Sequence, residues 1–181
     1  MKISRLFVLA VLIAVPAFAE TPIVPEVNPP GDIPDSQAFI TFTSPYGFSL
    51  KVPEGWARKD VGMATSFSDK YNHIAITYMS SAVALDEAAA KSTLVPEIQK
   101  AGRAVADVAV KPVKLTGGTA FLITYSSNSE PNAVTNKQIR EENESVYFVN
   151  GNRGLTLTLS APKGADNVDQ WNLIINSFRW K

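Results

Sequence analysis

"SPYGFSLKVPEGWARKD", residues Ser44 to Asp60, carries the spacing x-Pro-x-Gly twice, as Ser44-Pro45-Tyr46-Gly47 and Val52-Pro53-Glu54-Gly55. Proline presets φ at the second position of a turn, and glycine is favoured at the fourth, so each copy suits a type I turn. Between the turns, Phe48, Leu50 and Val52 alternate with Ser49 and Lys51, the period-2 pattern of a strand with one apolar face. The stretch therefore reads as a strand bracketed by two turns, with Trp56 placed to pack at a sheet margin. A ligand-binding loop is the weaker reading.

Working outward, the same pattern recurs. Upstream, Ile40 and Phe42 alternate with Phe39, Thr41 and Thr43. Downstream, Met63, Thr65 and Phe67 predict a short strand, Asp69 to Asn72 a turn, and Ile74, Ile76 and Tyr78 a further strand whose other face carries His73, Ala75 and Thr77. Asp86 then stands where an N-cap belongs, before a helical stripe of Ala88 to Ala90, Leu94, Val95, Ile98 and Ala101. Pro96 should kink or split that helix, and Gly102 should stop it. Strands resume at about Val105 to Leu115, Ala120 to Tyr125 and about Gln138 to Val149, with the polar loop "SNSEPNAVTN" before the last. Asn150-Gly151 signals a hairpin into Leu155, Leu157 and Leu159, which alternate with Thr156, Thr158 and Ser160. A final helix is predicted with Asp166 as N-cap and Val168, Trp171, Ile175 and Phe178 on one face. Strands, helix, strands, helix, joined mostly by hairpins, predict an α+β fold with a largely antiparallel sheet.

The ends and the composition bound the compartment. Lys2 and Arg5, the apolar run Leu6 to Val15, and Ala17-Phe18-Ala19 have the three-part layout of a secretory signal peptide. The run is shorter than the roughly 20 residues that span a bilayer. Residues 1–19 are expected to be removed after Ala19, which places the mature chain in the periplasm or outside the cell with no membrane-spanning segment. Residues 20–36, "ETPIVPEVNPPGDIPDS", hold five prolines and no basic residue and read as an acidic, extended linker. Residues 37–181 read as a single domain. The chain has no cysteine, so thiol chemistry and cysteine-based metal sites are excluded, and the domain must be stable through its core alone. Lys+Arg and Asp+Glu are equal at 17 each, which leaves no basic field for nucleic acid.

"YGFSLKVPEGW" resembles the opening signature of the PsbP/Mog-like superfamily: an aromatic-Gly-Phe strand, a proline, then a Gly-Trp pair. "HIAITYMS", a central helix, "GGTAFLITYSS", the "VYFVNGNRGLTLTLSAP" hairpin and a last helix ending "INSF" follow in the same order, so the resemblance covers about Phe39 to Phe178. It implies an α-β-α sandwich around an antiparallel sheet, and members that are mostly non-catalytic binding or assembly proteins.

No constellation for catalysis emerges. His73 is the single histidine. Its functional reading is a general base paired with Asp69, and its plainer reading a polar residue on the less apolar face of a strand. Glu141, Glu142 and Glu144 form an acidic cluster, with alternation placing Glu142 and Glu144 together and Glu141 opposite. They read either as a weak cation site or as charges that keep an edge strand from pairing. Asp166, Asn167 and Asp169 lack the rest of a calcium loop, and no phosphate-cradling glycine motif occurs. No cofactor is expected. Trp56 with Arg58 and Lys59, Trp180 between Arg179 and Lys181, and His73 form the candidate contact surface, because aromatics beside cations suit a binding patch. The leading expectation is a non-catalytic exported protein that binds a protein in the cell envelope, with room for a small-molecule ligand. A hydrolase or metal-dependent enzyme with its site at His73 or the glutamates is the second reading, and a structural component of an envelope complex the third.

Overall fold

The computed structural model describes residues 20–181; the expected leader at residues 1–19 lies outside the described residues. The opening hairpin forms as expected. β1 (Phe39–Ser44) and β2 (Phe48–Pro53) pair antiparallel from Phe39↔Pro53 to Ser44↔Phe48. In the turn between them Gly47 sits at φ +80°, and its N–H donates to the Ser44 carbonyl at 3.3 Å. The second turn puts Gly55 at φ +84° and sends the chain into β3 (Ala57–Val61). β4 (Ala64–Ser68) and β5 (His73–Met79) follow as a meander, and the turn between them is held by the Asp69 carboxylate, which accepts from the Tyr71 and Asn72 N–H groups at 2.7 and 2.6 Å. Then come α1 (Glu87–Ala101), β6 (Arg103–Leu115), β7 (Gly118–Asn128), β8 (Arg140–Asn150), β9 (Arg153–Pro162), α2 (Val168–Ser177) and β10 (Arg179–Trp180).

The strands make two sheets, all of whose pairings are antiparallel. β1-β2-β10 is the smaller; the larger runs β3-β4-β5-β9-β8-β7-β6. The α+β class holds, but the single sheet expected between two helices is instead two sheets. Register explains why. Leu157 lies opposite Ile76 and Val146, and Thr158 opposite Ala75 and Ser145. One face of the large sheet therefore collects Ile74, Ile76, Val146, Phe148, Leu155, Leu157 and Leu159. It buries them against Phe48, Leu50 and Val52 of the small sheet and Trp171, Ile174 and Ile175 of α2. The other face offers Phe121, Ile123 and Tyr147, which α1 covers with Ala90 and Leu94. Aromatic contacts close the first layer, with Phe148 stacked on Phe178 at 4.2 Å between centroids.

Three expectations need correction. Of the kink or split expected at Pro96, the split does not occur: α1 runs unbroken from Glu87 to Ala101. The carbonyl that Pro96 leaves without a donor belongs to Ser92, and both residues are exposed, so the lost bond falls where solvent has access and costs little. Asp166 does not cap α2. The helix begins after Asn167, whose side chain makes no cap bond and instead accepts from the Ile33 N–H at 2.6 Å. Val168 is 66 % exposed, and Ile174 takes the inward place assigned to it. The residues 20–36 are not a free tether. They form no helix or strand, yet Ile33 is buried in the main core, Asp32 accepts from the Asp166 N–H at 2.8 Å, and the Glu20 carboxylate meets Arg103 at 2.7 Å. The Pro-rich segment has one apolar anchor and several polar ones, enough to lay it along the domain.

Candidate functional site: a crevice between α1 and the large sheet

α1 starts well defined, its Asp86 cap accepting from the Ala89 N–H at 2.7 Å and Lys91 pairing with Glu87 at 2.6 Å. It lies over β7 and β8 because their outward residues there are Phe121, Ile123 and Tyr147. The next strand, β9, shows the same face Thr156, Thr158 and Ser160, and β5 shows Ala75 and Thr77. Hydroxyls and small side chains give a helix little apolar area to bury, so α1 stops short of them. Where its cover ends, a crevice of about 330 Å³ opens.

Leu94, Ile98 and Ile123 form the crevice's apolar wall. Its floor is the Ser145–Thr158 hydroxyl pair, 2.9 Å apart, with Thr156 beside it. Tyr147 stands at one end and Tyr125, in the row of Asn143, at the other. Burial raises the pKa of both phenols, Tyr125 to about 12 with Glu141 adding to the effect, and Tyr147 with Glu97 adding. Both hydroxyls therefore keep their protons at neutral pH, and that of Tyr147 donates to the Val83 carbonyl at 3.4 Å. Glu97 on α1 lines the rim. Beside Tyr125, burial and then the nearby Glu130 push the Glu141 carboxyl up to about 7. The sequence reading passes over these residues. The one signal it holds is the Thr156-Thr158-Ser160 alternation, which reads equally well as an ordinary solvated face.

The acidic cluster splits as its alternation predicts. Glu142 and Glu144 line a separate cavity of about 280 Å³ on the opposite face, near Lys163 and Trp171, while Glu141 faces the α1 side. Edge blocking does not explain them, since β8 lies between β7 and β9. Burial raises both carboxyls, and among the described residues no group of three metal-ligating side chains converges. Next to them Arg140 is buried, with its guanidinium donating to Ala104 O, Asn128 Oδ1 and Ser126 Oγ at 2.8, 2.9 and 2.7 Å. Two bulges in β6, with Ala104 and Asp107 at φ +44° and +57°, turn that strand onto it. The Ser126 hydroxyl donates in turn to Asp107 at 2.7 Å. This buried cation is fully engaged in holding the end of the sheet together.

The expected contact surface does not form one patch. His73 lies opposite Ser160 at one end of the β5–β9 ladder, whose other end is Met79↔Gly154. Trp180 belongs to that far end, under the Arg153 guanidinium at 5.0 Å, so the two are about 20 Å apart at ~3.4 Å per residue. His73 is exposed, and what desolvation it has lowers its pKa. Asp69, its supposed partner, is occupied by the turn N–H groups and by Asn72. Trp56 is half-buried against the main core, Arg58 lies over the Phe42 ring at 4.7 Å and pairs with Asp60 at 3.0 Å, and Lys59 is exposed on the edge strand β3.

No family model matches the sequence, and no curated protein matches it either. Solved structures do match in shape. Cyanobacterial PsbP (CyanoP) from Synechocystis sp. superposes with a TM-score of 0.57 at 14% identity, covering 83% of this chain and 98% of that one. A protein from Bacteroides thetaiotaomicron superposes with a TM-score of 0.50 at 13% identity over 78% of this chain, which spans about half (48%) of that longer one. At such identities the likeness speaks for the fold alone: the chain has a PsbP-like fold.

Proposed function

We propose that the chain is an exported, non-catalytic binding protein of the cell envelope whose ligand site is the crevice between α1 and the large sheet. The observation that carries this reading is the crevice itself, an apolar wall over a hydroxyl floor with a proton-bearing phenol at each end. Such a lining fixes and orients a ligand. Its hydroxyls suit hydrogen bonding better than proton transfer, because their pKa values are moved away from neutrality. The PsbP-like fold supports an accessory role by analogy. Export rests on the leader pattern in residues 1–19, and no helix among the described residues is long and apolar enough to cross a membrane.

Ala101 lines the crevice and is exposed, so Ala101→Trp should fill it without disturbing the core. A thermal-shift screen of small molecules should give hits on the wild type that the variant loses. Hits shared by both proteins would place the ligand elsewhere. Sequencing the mature N-terminus from the envelope fraction should find Glu20 first; an uncleaved cytoplasmic product would remove the export reading. A protein partner has its own supporting observation, the groove of about 300 Å³ where Ile40, Phe42, Trp56 and Arg58 meet, with Ile40 49 % exposed. Ile40→Glu should abolish capture of that partner from native envelope if this groove is the contact.

A further inference from the structure

We propose that the crevice under α1 binds a linear organic polycation, a polyamine whose methylene chain lies along the apolar wall and whose ammonium ends reach Glu97 with Tyr147 and Glu141 with Tyr125. This rests on the crevice being a ligand site and adds the class of ligand.

Charge complementarity selects the occupant. Among the described residues that line the crevice there is no lysine, arginine or histidine, and the only charged one is Glu97. Glu141 stands just past the other end, on the same face of β8 two residues beyond the Asn143–Tyr125 row. Each end thus pairs a carboxylate with an aromatic ring, the combination that takes up an ammonium group by ion pairing and cation–π attraction together. Among the described residues no ion pair engages Glu141, so an arriving cation would give its carboxylate the partner it lacks.

Length selects further. Tyr125 shares a row with Asn143, four residues along β8 from Tyr147, which separates the ends by ~14 Å at ~3.4 Å per residue. A short diamine cannot reach across that span, whereas a triamine such as spermidine can. Between the ends, Leu94, Ile98 and Ile123 match methylene groups, and the Ser145–Thr158 pair can accept from a central amine.

Calorimetric titration at low salt with spermidine, octylamine and 1,8-octanediol tests the proposal, since the three are of similar length and differ in charge. Spermidine should bind about tenfold more tightly than octylamine and more tightly still than the diol. E97Q and E141Q should each reduce the preference for spermidine over the diol about fivefold, and raising the salt should have the same effect. Circular dichroism and melting curves confirm that each variant is folded. If the diol binds as tightly as spermidine, or if both variants keep the full preference, the polycation proposal fails while the crevice remains a ligand site. If none of the three binds the wild type, the polycation proposal fails by itself; if those that bind do so equally well to Ala101→Trp, the crevice reading fails with it.

Discussion

The two faces of the seven-stranded sheet are built from alternate residues of the same strands, and they come to opposite ends. On one, Phe148, Leu155, Leu157 and Leu159 are wholly buried beneath a second sheet and α2. On the other, Tyr147, Thr156, Thr158 and Ser160 meet a single helix that covers only part of the width. A face completed by two covering elements is committed to stability. A face covered by one helix keeps an opening with polar groups at its floor, which is where a ligand can be accommodated. Neighbouring residues one Cα apart therefore carry different duties.

The most forceful way to break this comparison is to truncate neighbours on β9. Leu157→Ala removes a fully buried side chain and should cost about 3 kcal/mol, transfer plus cavity. Thr158→Ala removes a partly exposed hydroxyl with one partner and should cost less than about 1 kcal/mol. Urea denaturation measures both. Equal costs would mean that the α1 face is as tightly committed to the fold as the other.

The closed face also owes part of its closure to the arm. Asn167 is buried; its Oδ1 accepts from Ile33 N–H at 2.6 Å and its Nδ2 donates to Gly31 O and Asn72 Oδ1 at 3.0 and 3.1 Å. Asn167→Ala strands two buried polar groups and one that is half-buried, and should lose about 2–3 kcal/mol. Hydrogen exchange at the Ile33 amide should accelerate more than at the Leu94 amide of α1. Uniform acceleration would show that the arm is not a separate latch on that side.

The open face should show its electrostatics in pH dependence. Glu141 has a carboxyl pKa of about 7 in the folded chain against 4.5 for an unperturbed glutamate. The folded chain therefore holds that proton more tightly than the unfolded chain, and ionising it opposes folding. Stability is full below pH 4.5, falls as the pH rises through the interval up to about 7, and then levels off. Glu141→Gln removes this dependence and should gain on the order of 2 kcal/mol over the wild type at pH 8, with little difference at pH 4. Paired urea titrations at the two pH values measure it, and a constant difference between wild type and variant would contradict the burial of Glu141.

The sequence disclosed the strands that own a buried face, because alternation is a direct record of half-burial. Leu155-Leu157-Leu159 and Phe48-Leu50-Val52 were readable for that reason. β3 was not, since Ala57 to Val61 are all exposed and no periodicity marks them. β10 was hidden within the apparent run of α2, because Phe178 at its cap points inward as a helical residue would. Alternation also says which residues point outward without saying what covers them. The crevice depends on where α1 ends relative to Thr158, a tertiary fact with no local signal. The same limit hid the docking of the arm: Asn167 and Ile33 are 134 residues apart in sequence.

The smallest effect tests the turn between β2 and β3, the second of the two that made the fold legible. Gly55 adopts φ +84°, and a Cβ placed there meets nothing within 4 Å, so any penalty for a side chain is conformational alone. Gly117 is the opposite case, with ordinary backbone but a Cβ position only 2.5 Å from the Phe178 ring. Gly55→Val should cost about 1–2 kcal/mol, and Gly55→Asn less, because asparagine tolerates the left-handed region and a β-branched residue does not. Thermal melts rank the two. If valine and asparagine are equivalent, the backbone at Gly55 is not the constraint, and the turn that joins the small sheet to the large one owes its shape to Pro53 and Trp56 instead.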